Sequence, residues 1–245
     1  MKKNLTILSV VLITLISLKT KAQDEVSTKA KNYISLFGGL SNPLSNFSST
    51  NYSNNSAGYA KKGVTIGLDG ADYFYKNLAF AVTFSYQDQG ELNYTDVQNL
   101  SNSYNVSFGK NQTTITAVNR YQNINLMGGP QYSFLYKKFT LDLRASAGFV
   151  KSISTPSLAI VFDYSTNTNA TLNQLSSSAL AFAYGGSAGL RYSLGDSWDI
   201  GLRANYINSD GIKIVNSNNP GTVGRFVTKQ PITEIQTTLG ITLKF

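Results

Sequence analysis

The chain has 245 residues, enough for one large domain or two small ones, and it contains neither cysteine nor histidine. Disulfides, thiolate metal sites and a lipid-modified cysteine are therefore excluded. Without histidine, the chain also lacks the side chain that most often acts as a general base near neutral pH. The formal net charge of +8 suggests an anionic partner until the amino terminus is considered separately.

Residues 1–22 have the pattern of a secretory signal. Lys2 and Lys3 precede an apolar run from Leu5 to Leu18, and small residues lie before a predicted cut ahead of Gln23. A membrane anchor is the alternative, but the 14 residues of this run are too few, because a helix needs about 20 to cross a bilayer. The sequence therefore predicts export and a mature domain over residues 23–245.

Cleavage changes the charge argument. It removes four of the 21 basic residues and none of the 13 acidic ones, which leaves a net charge of +4. The remaining basic residues are scattered along the chain rather than grouped. The sequence accordingly predicts no nucleic-acid partner.

Alternation of apolar with polar or small residues dominates the rest of the chain. It is clearest over residues 139–149, 198–206 and 234–245, in segments about ten residues long, the length of a tilted strand that crosses a bilayer. Five weaker segments lie near residues 31–40, 62–74, 78–88, 120–136 and 179–194. Eight such segments predict an all-β protein, an eight-stranded antiparallel up-and-down transmembrane β-barrel.

The face that each segment turns outward is clear except in the first. There, Ile34 and Leu36 compete with Tyr33 and Phe37 for the outward side, and the pattern leaves the choice open.

Short and long connections alternate along the chain. The short ones centre on residues 75–77, 136–138 and 194–197, whereas the long ones, rich in Asn, Ser and Thr, span about 41–61, 89–119, 153–178 and 208–228. This asymmetry is typical of outer-membrane barrels, with short periplasmic turns and long external loops. It predicts that both termini are periplasmic. Within the second long loop, alternation over residues 104–118 predicts a hairpin that extends beyond the membrane.

Charged residues indicate that the polar face points inward. Asp142 and Arg144 share one face of their segment, as do Asp199 and Arg203, and an arginine facing lipid near the midplane would cost about 2–4 kcal/mol. A soluble lipocalin-like barrel, with its apolar face inside, is the alternative. Aromatic residues at both ends of the segments favour the membrane barrel, since such rings sit well at headgroup level.

The last segment ends on an aromatic residue, with Leu239, Ile241, Leu243 and Phe245 alternating on one face. In this pattern the chain resembles outer-membrane barrel proteins, of the OmpA/OmpX type and of the broad outer membrane protein β-barrel domain family that includes PorT-like proteins. The resemblance implies an integral outer-membrane location. It also implies that these four residues are the signal read by the barrel-assembly machinery.

Catalysis is not predicted. The families of small barrel enzymes that this chain resembles use histidine in catalysis, and this chain has none. Asp88 and Glu91 near the outer rim are interpreted as a solvated pair of loop residues, because the sequence identifies no surrounding site that would make them reactive. The sequence predicts no cofactor and no metal, although calcium on loop oxygens is left open.

Three functional classes therefore remain: a structural or surface-interaction barrel, a narrow porin-like channel for small solutes or ions, and an enzyme. An eight-stranded barrel is just wide enough for its own side chains to fill. We therefore predict a lumen plugged by an ion-pair network and a surface-interaction role through the four long loops, with the channel as the alternative. The predicted network consists of Asp69, Asp142, Arg144, Arg191 and Arg203, with Glu234 above it and Asp199 and Lys244 nearer the short turns. The predicted partners are outer-membrane lipids, the barrel-assembly machinery and an unidentified extracellular or envelope component.

Overall fold

A computed structural model describes residues 29–108, 113–162, 170–217 and 227–245. The predicted signal, residues 1–22, lies outside the described residues. None of the helices in the described ranges has the length and apolar character needed to span a membrane.

Fourteen strands and two helices make up the described chain. The strands are β1 (Tyr33–Pro43), β2 (Gly63–Tyr75), β3 (Leu78–Glu91), β4 (Thr113–Val118), β5 (Arg120–Tyr136), β6 (Phe139–Ser154), β7 (Ser157–Phe162), β8 (Ala170–Gln174), β9 (Leu180–Ser193), β10 (Trp198–Ser209), β11 (Ile212–Lys213), β12 (Asn216–Ser217), β13 (Lys229–Gln230) and β14 (Thr233–Lys244). Helix α1 spans Ser45–Ser48 and helix α2 spans Tyr94–Phe108.

Eight of these strands close into an antiparallel barrel in the order β1, β14, β10, β9, β6, β5, β3 and β2. The first and last strands form the closing seam, in register from Tyr33 opposite Lys244 to Pro43 opposite Glu234. All eight predicted strand segments are barrel strands, which confirms the predicted fold class.

Burial alternates along the barrel strands, with mostly polar or small residues and a few larger apolar ones inside, and apolar residues outside. Strand β1, whose facing the sequence left open, turns Ile34 and Leu36 outward at 49% and 59% exposure. Tyr33 and Phe37 point into the lumen, at 2% and 6% exposure. The inward choice for Tyr33 gives its hydroxyl hydrogen-bond partners that lipid would not supply.

Exposed aromatic residues occur at both ends of the barrel wall. Near the short turns they are Phe74, Phe134, Tyr136, Phe139, Tyr192 and Trp198, and toward the long loops they are Phe84, Phe149, Phe182, Tyr184 and Tyr206. The wall between them carries aliphatic side chains and small residues. These two aromatic rows bracket an apolar band, as in a barrel that spans a bilayer.

The long loops fold into a second layer above the barrel, which we call the cap. Strands β12, β8, β7 and β4 form a four-stranded sheet in that order. Its apolar core includes Leu100 and Tyr104 of α2, Ile115 of β4 and Ile160 of β7, with Tyr59 from the first long loop. All four long loops therefore contribute to the cap through either its sheet or its core.

The predicted hairpin over residues 104–118 is wrong. Residues 94–108 form α2, and β4 pairs with β7 of the next long loop. A reciprocal capping box begins the helix, because the amide of Asn93 donates to the Asp96 carboxylate and the amide of Asp96 donates to the Asn93 side chain. Leu100 and Tyr104, four residues apart, then face the same buried side.

Candidate functional site

The lumen at mid-depth holds a continuous set of ion pairs. Arg144 forms a bidentate pair with Asp69, at 2.7 Å from Nη1 to Oδ1 and 3.0 Å from Nη2 to Oδ2. Arg203 reaches the same Asp69 carboxylate at 3.1 Å and Asp142 at 3.5 Å. Both Asp69 and Arg144 have side chains only 2% exposed, so their charges depend on each other rather than on water.

The set continues toward the short turns. Arg191 pairs with Asp142 at 2.7 Å through Nε and with Asp199 at 3.1 Å through Nη1. Asp199 in turn lies 2.6 Å from the ammonium of Lys244. The structure therefore brings together Asp69, Asp142, Arg144, Arg191 and Arg203, with Asp199 and Lys244 at the short-turn side.

Neutral partners that the sequence argument did not name hold this network in place. Tyr33 donates to Asp69 at 2.9 Å, and its ring centre lies 4.2 Å from the Arg191 guanidinium. Gln131 accepts from Arg144 at 2.8 Å, and Thr83 donates to Asp69 at 2.6 Å. Like the charged residues, they lie at the alternate positions of their strands that point inward. The alternation of the sequence could therefore have identified them.

Two glycines on neighbouring strands make room for the long arginines. A Cβ added at Gly189 would lie 3.2 Å from Nε of Arg203, and one added at Gly201 would lie 3.0 Å from Cγ of Arg191. Larger residues at these inward positions would displace both guanidinium groups.

Glu234 lies on the long-loop side of the network, but it joins none of the network's ion pairs. It lies at the opposite end of β14 from Lys244 and is fully buried. It forms no salt bridge with any side chain in the described ranges. Its carboxyl instead accepts hydrogen bonds from neutral groups at 2.8–2.9 Å: Ser41, Gln87, Gln89 and Gln236. The difference arises because β3 and β1 bring amides and a hydroxyl, but no cation, to this height.

Substitution of Glu234 by glutamine should lower the free energy of unfolding by about 1–3 kcal/mol. One carboxyl now satisfies four donors, and an amide would turn its own NH₂ toward some of them in a buried layer. Urea titration of the lipid-inserted protein, followed by heat-modifiable gel mobility, measures the change. The matched control is Glu91→Gln on the exposed rim, which should change nothing. Equal stability of Glu234→Gln and wild type would contradict an acceptor role for this carboxyl.

Above and below the network, apolar side chains fill the barrel. Toward the long loops, Met127, Val150 and Ile207 pack with Phe47 of α1 and Ile232, the last two 0% exposed. Toward the short turns the filling residues are Ala30, Tyr33, Ala71, Tyr73, Ala79 and Ala81. Buried apolar side chains thus lie on both sides of the network in the described lumen.

Two small cavities interrupt this packing. One, of about 20 Å³, borders Arg203 and Thr238, and the other, of about 10 Å³, borders Arg144 and Asn205. A single water molecule needs roughly 10–15 Å³ of such space. Each of these two cavities therefore has room for about one water.

Of the two rim carboxylates considered for catalysis, Asp88 is bound by side chains of β5. Asp88 is 3.1 Å from the Arg120 guanidinium and also accepts from Gln122 at 3.2 Å. In the described part of the chain, no three potential metal-ligating side chains come together. Asp88 thus belongs to an exposed ion pair between β3 and β5.

No protein-family model matches the chain, and neither does any curated protein. Solved structures with a similar shape include Neisserial surface protein A, at 14% identity and a TM-score of 0.44 over 88% of this chain and 98% of that one. A major outer membrane protein of Thermus thermophilus gives 13% identity and a TM-score of 0.43 over 88% and 100%. The outer membrane protein Ail of Yersinia pestis gives 13% and 0.40 over 88% and 100%.

The fold assignment rests on the chain's own geometry. Eight antiparallel strands close on themselves, their outward faces are apolar, and their inward faces carry paired charges and amides. Such an arrangement is unstable with water outside and stable with lipid outside. The chain therefore folds as a transmembrane β-barrel of the outer-membrane type.

Proposed function

We propose that this protein is a non-enzymatic barrel, integral to the outer membrane, that displays its cap on the cell surface and conducts no solute. The observation that carries the proposal is that all four long loops contribute to one folded cap above the barrel. Loops that served only to connect strands would not need a shared core. A folded platform on a rigid support is how proteins present an interaction surface.

The chemistry of the cap favours an uncharged partner surface. Its outward residues on α2 and β4 include Thr95, Gln98, Asn102, Thr114 and Thr116. Hydroxyl and amide groups bind through hydrogen bonds rather than through long-range charge. A polyanionic partner would need a cluster of cations, which these faces do not carry.

Surface display is testable because the chain has no native cysteine. A Thr116→Cys variant should react with a membrane-impermeant maleimide on intact cells, whereas Lys137→Cys at a short turn should react only after permeabilisation. Both positions are exposed, so reagent access differs only by the side of the membrane. Labelling of Lys137→Cys on intact cells would reverse the orientation. With a photoactivatable cross-linker on Thr116→Cys, a discrete adduct should form that an Ile241→Cys variant on the lipid-facing wall lacks.

The narrow channel is the second candidate, and the position of the larger of the two cavities favours it. The larger one lies beside Arg203, whose side chain is the most exposed of the three network arginines, at 11%. A small shift of that side chain would enlarge the cavity. Conductance in a planar lipid bilayer separates the two functions.

A further inference from the structure

Three exposed lysines lie close together at the short-turn end of the barrel. Lys76 is at the tip of the β2–β3 turn, and Lys137 and Lys138 form the tip of the β5–β6 turn. Strands β3 and β5 are neighbours in the barrel. The amide of Ser133 on β5 also donates to the Asn77 carbonyl at 3.0 Å, so the β2–β3 tip lies against the last turn-proximal residues of β5. We call these three residues the lysine rim.

No carboxylate neutralises the lysine rim. Within the described ranges, none of its three ammonium groups forms a salt bridge. Asp72 on the neighbouring β2 accepts a hydrogen bond from the Asn32 side chain at 2.7 Å rather than pairing with a rim lysine. In the described chain the three rim ammonium groups are therefore without a carboxylate partner.

Tyrosine rings fix the height of two of these ammonium groups. The Lys76 nitrogen lies 5.3 Å from the centre of the Tyr75 ring, and the Lys137 nitrogen lies 5.9 Å from that of Tyr136. Both rings are on the outer wall, at 61% and 51% exposure. Since such rings sit at the boundary between acyl chains and headgroups, each neighbouring ammonium lies at the level of the lipid phosphates.

Turn geometry does not explain why lysine occupies these tips. Lys76 and Lys137 both have left-handed backbones, with φ of 46° and 53°. Glycine and asparagine adopt this conformation more readily, and either would form the turn with less strain. The same unfavourable choice at both neighbouring tips indicates that the charge itself is used.

We propose that the lysine rim binds the phosphate groups of anionic phospholipids in the leaflet that surrounds the short turns. The ligand class is a phosphodiester headgroup with one net negative charge, as in phosphatidylglycerol. Three close ammonium groups attract such a headgroup over a zwitterionic one, whose own cation compensates its phosphate. Lipid bound there would fix the depth and tilt of the barrel. The proposal is independent of the function assigned to the cap.

Lipid retention tests the proposal. Wild-type protein folded in vesicles of equal phosphatidylcholine and phosphatidylglycerol, then extracted in mild detergent, should co-purify with severalfold more phosphatidylglycerol. The Lys76→Gln, Lys137→Gln, Lys138→Gln variant should retain the two lipids equally. Its matched control, Lys62→Gln, Lys213→Gln, Lys229→Gln, changes three exposed lysines at the other end and should keep the preference.

Two results would overturn the lysine rim as the binding surface. One is an undiminished preference for phosphatidylglycerol in the rim variant, and the other is an equal loss in the control, which would point to net charge alone. Heat-modifiable mobility verifies that each variant is folded. Should the triple variant not fold, Lys137→Gln compared with Lys62→Gln gives the same contrast, with a smaller but measurable decrease expected only at the rim.

Discussion

Replacing Arg144 with methionine should lower the free energy of unfolding by about 3–5 kcal/mol, among the largest losses expected from one lumen substitution. The guanidinium makes both hydrogen bonds of a bidentate pair with Asp69, and both side chains are only 2% exposed. After the change, Asp69 keeps the Arg203 contact at 3.1 Å as its sole ion pair in the described structure. Urea titration in lipid vesicles measures the loss.

The matched control for Arg144 is Arg120→Met. Arg120 also pairs with an aspartate, Asp88 at 3.1 Å, but its side chain is 44% exposed. Exposed pairs contribute about 0–1 kcal/mol, so this variant should be nearly as stable as wild type. Equal losses in the two variants would contradict a special role for the buried pair. Combining Asp69→Asn with Arg144→Met should cost less than the sum of the two single changes.

Replacing Phe245 with aspartate should remove most of the folded protein from the outer membrane. Phe245 is 72% exposed at the short-turn end of β14, the strand that closes the barrel against β1. Leu239, Ile241 and Leu243 precede it on the same lipid-facing side, at 58%, 59% and 37% exposure. A carboxylate there would meet the membrane interface and would remove the terminal aromatic of the proposed assembly signal.

Two comparisons separate the causes of that loss. Phe245→Tyr keeps the ring and should assemble normally in cells. Refolding of Phe245→Asp into lipid vesicles, without any assembly machinery, should be impaired much less than assembly in cells if recognition dominates. Normal amounts of heat-modifiable Phe245→Asp protein in cells would contradict the assembly role.

The barrel was predictable from the sequence because a strand facing lipid on one side must alternate, and each strand carries that pattern independently. Strand β1 was the exception, since Tyr33 and Ile34 are both compatible with lipid. Only pairing with its neighbours, which brings the Tyr33 hydroxyl to Asp69, decides the facing.

The cap could not be predicted in the same way, since its sheet joins segments from different loops. Alternation over residues 104–118 suggested a local hairpin, yet β4 finds its partner in β7, which belongs to the next long loop. A local signal for α2 was present all the same. The Asn93–Asp96 capping box, followed by Leu100 and Tyr104 at helical spacing, predicts the helix when it is given more weight than the alternation of apolar residues.

The arrangement of the lumen was only partly predictable from the sequence. Whether a residue points inward follows from its odd or even position along the strand. The height of its side chain in the lumen depends on the stagger of each strand around the barrel, which the sequence does not specify. Arginine side chains are long enough to span such differences in height, so the arginines and aspartates of the network form ion pairs. Glu234 has a shorter side chain and rises to the layer of Gln87, Gln89 and Gln236, where no cation reaches it.

Conductance in a planar lipid bilayer tests the proposed plugged lumen most directly. The wild-type protein should give little steady current, because ion pairs and apolar layers leave room for about one water in each cavity. A folded Arg144→Ala, Arg203→Ala variant should conduct more, since it removes two side chains that fill the middle of the barrel. A large and stable conductance of the wild-type protein would contradict the plugged barrel and establish the narrow channel in its place.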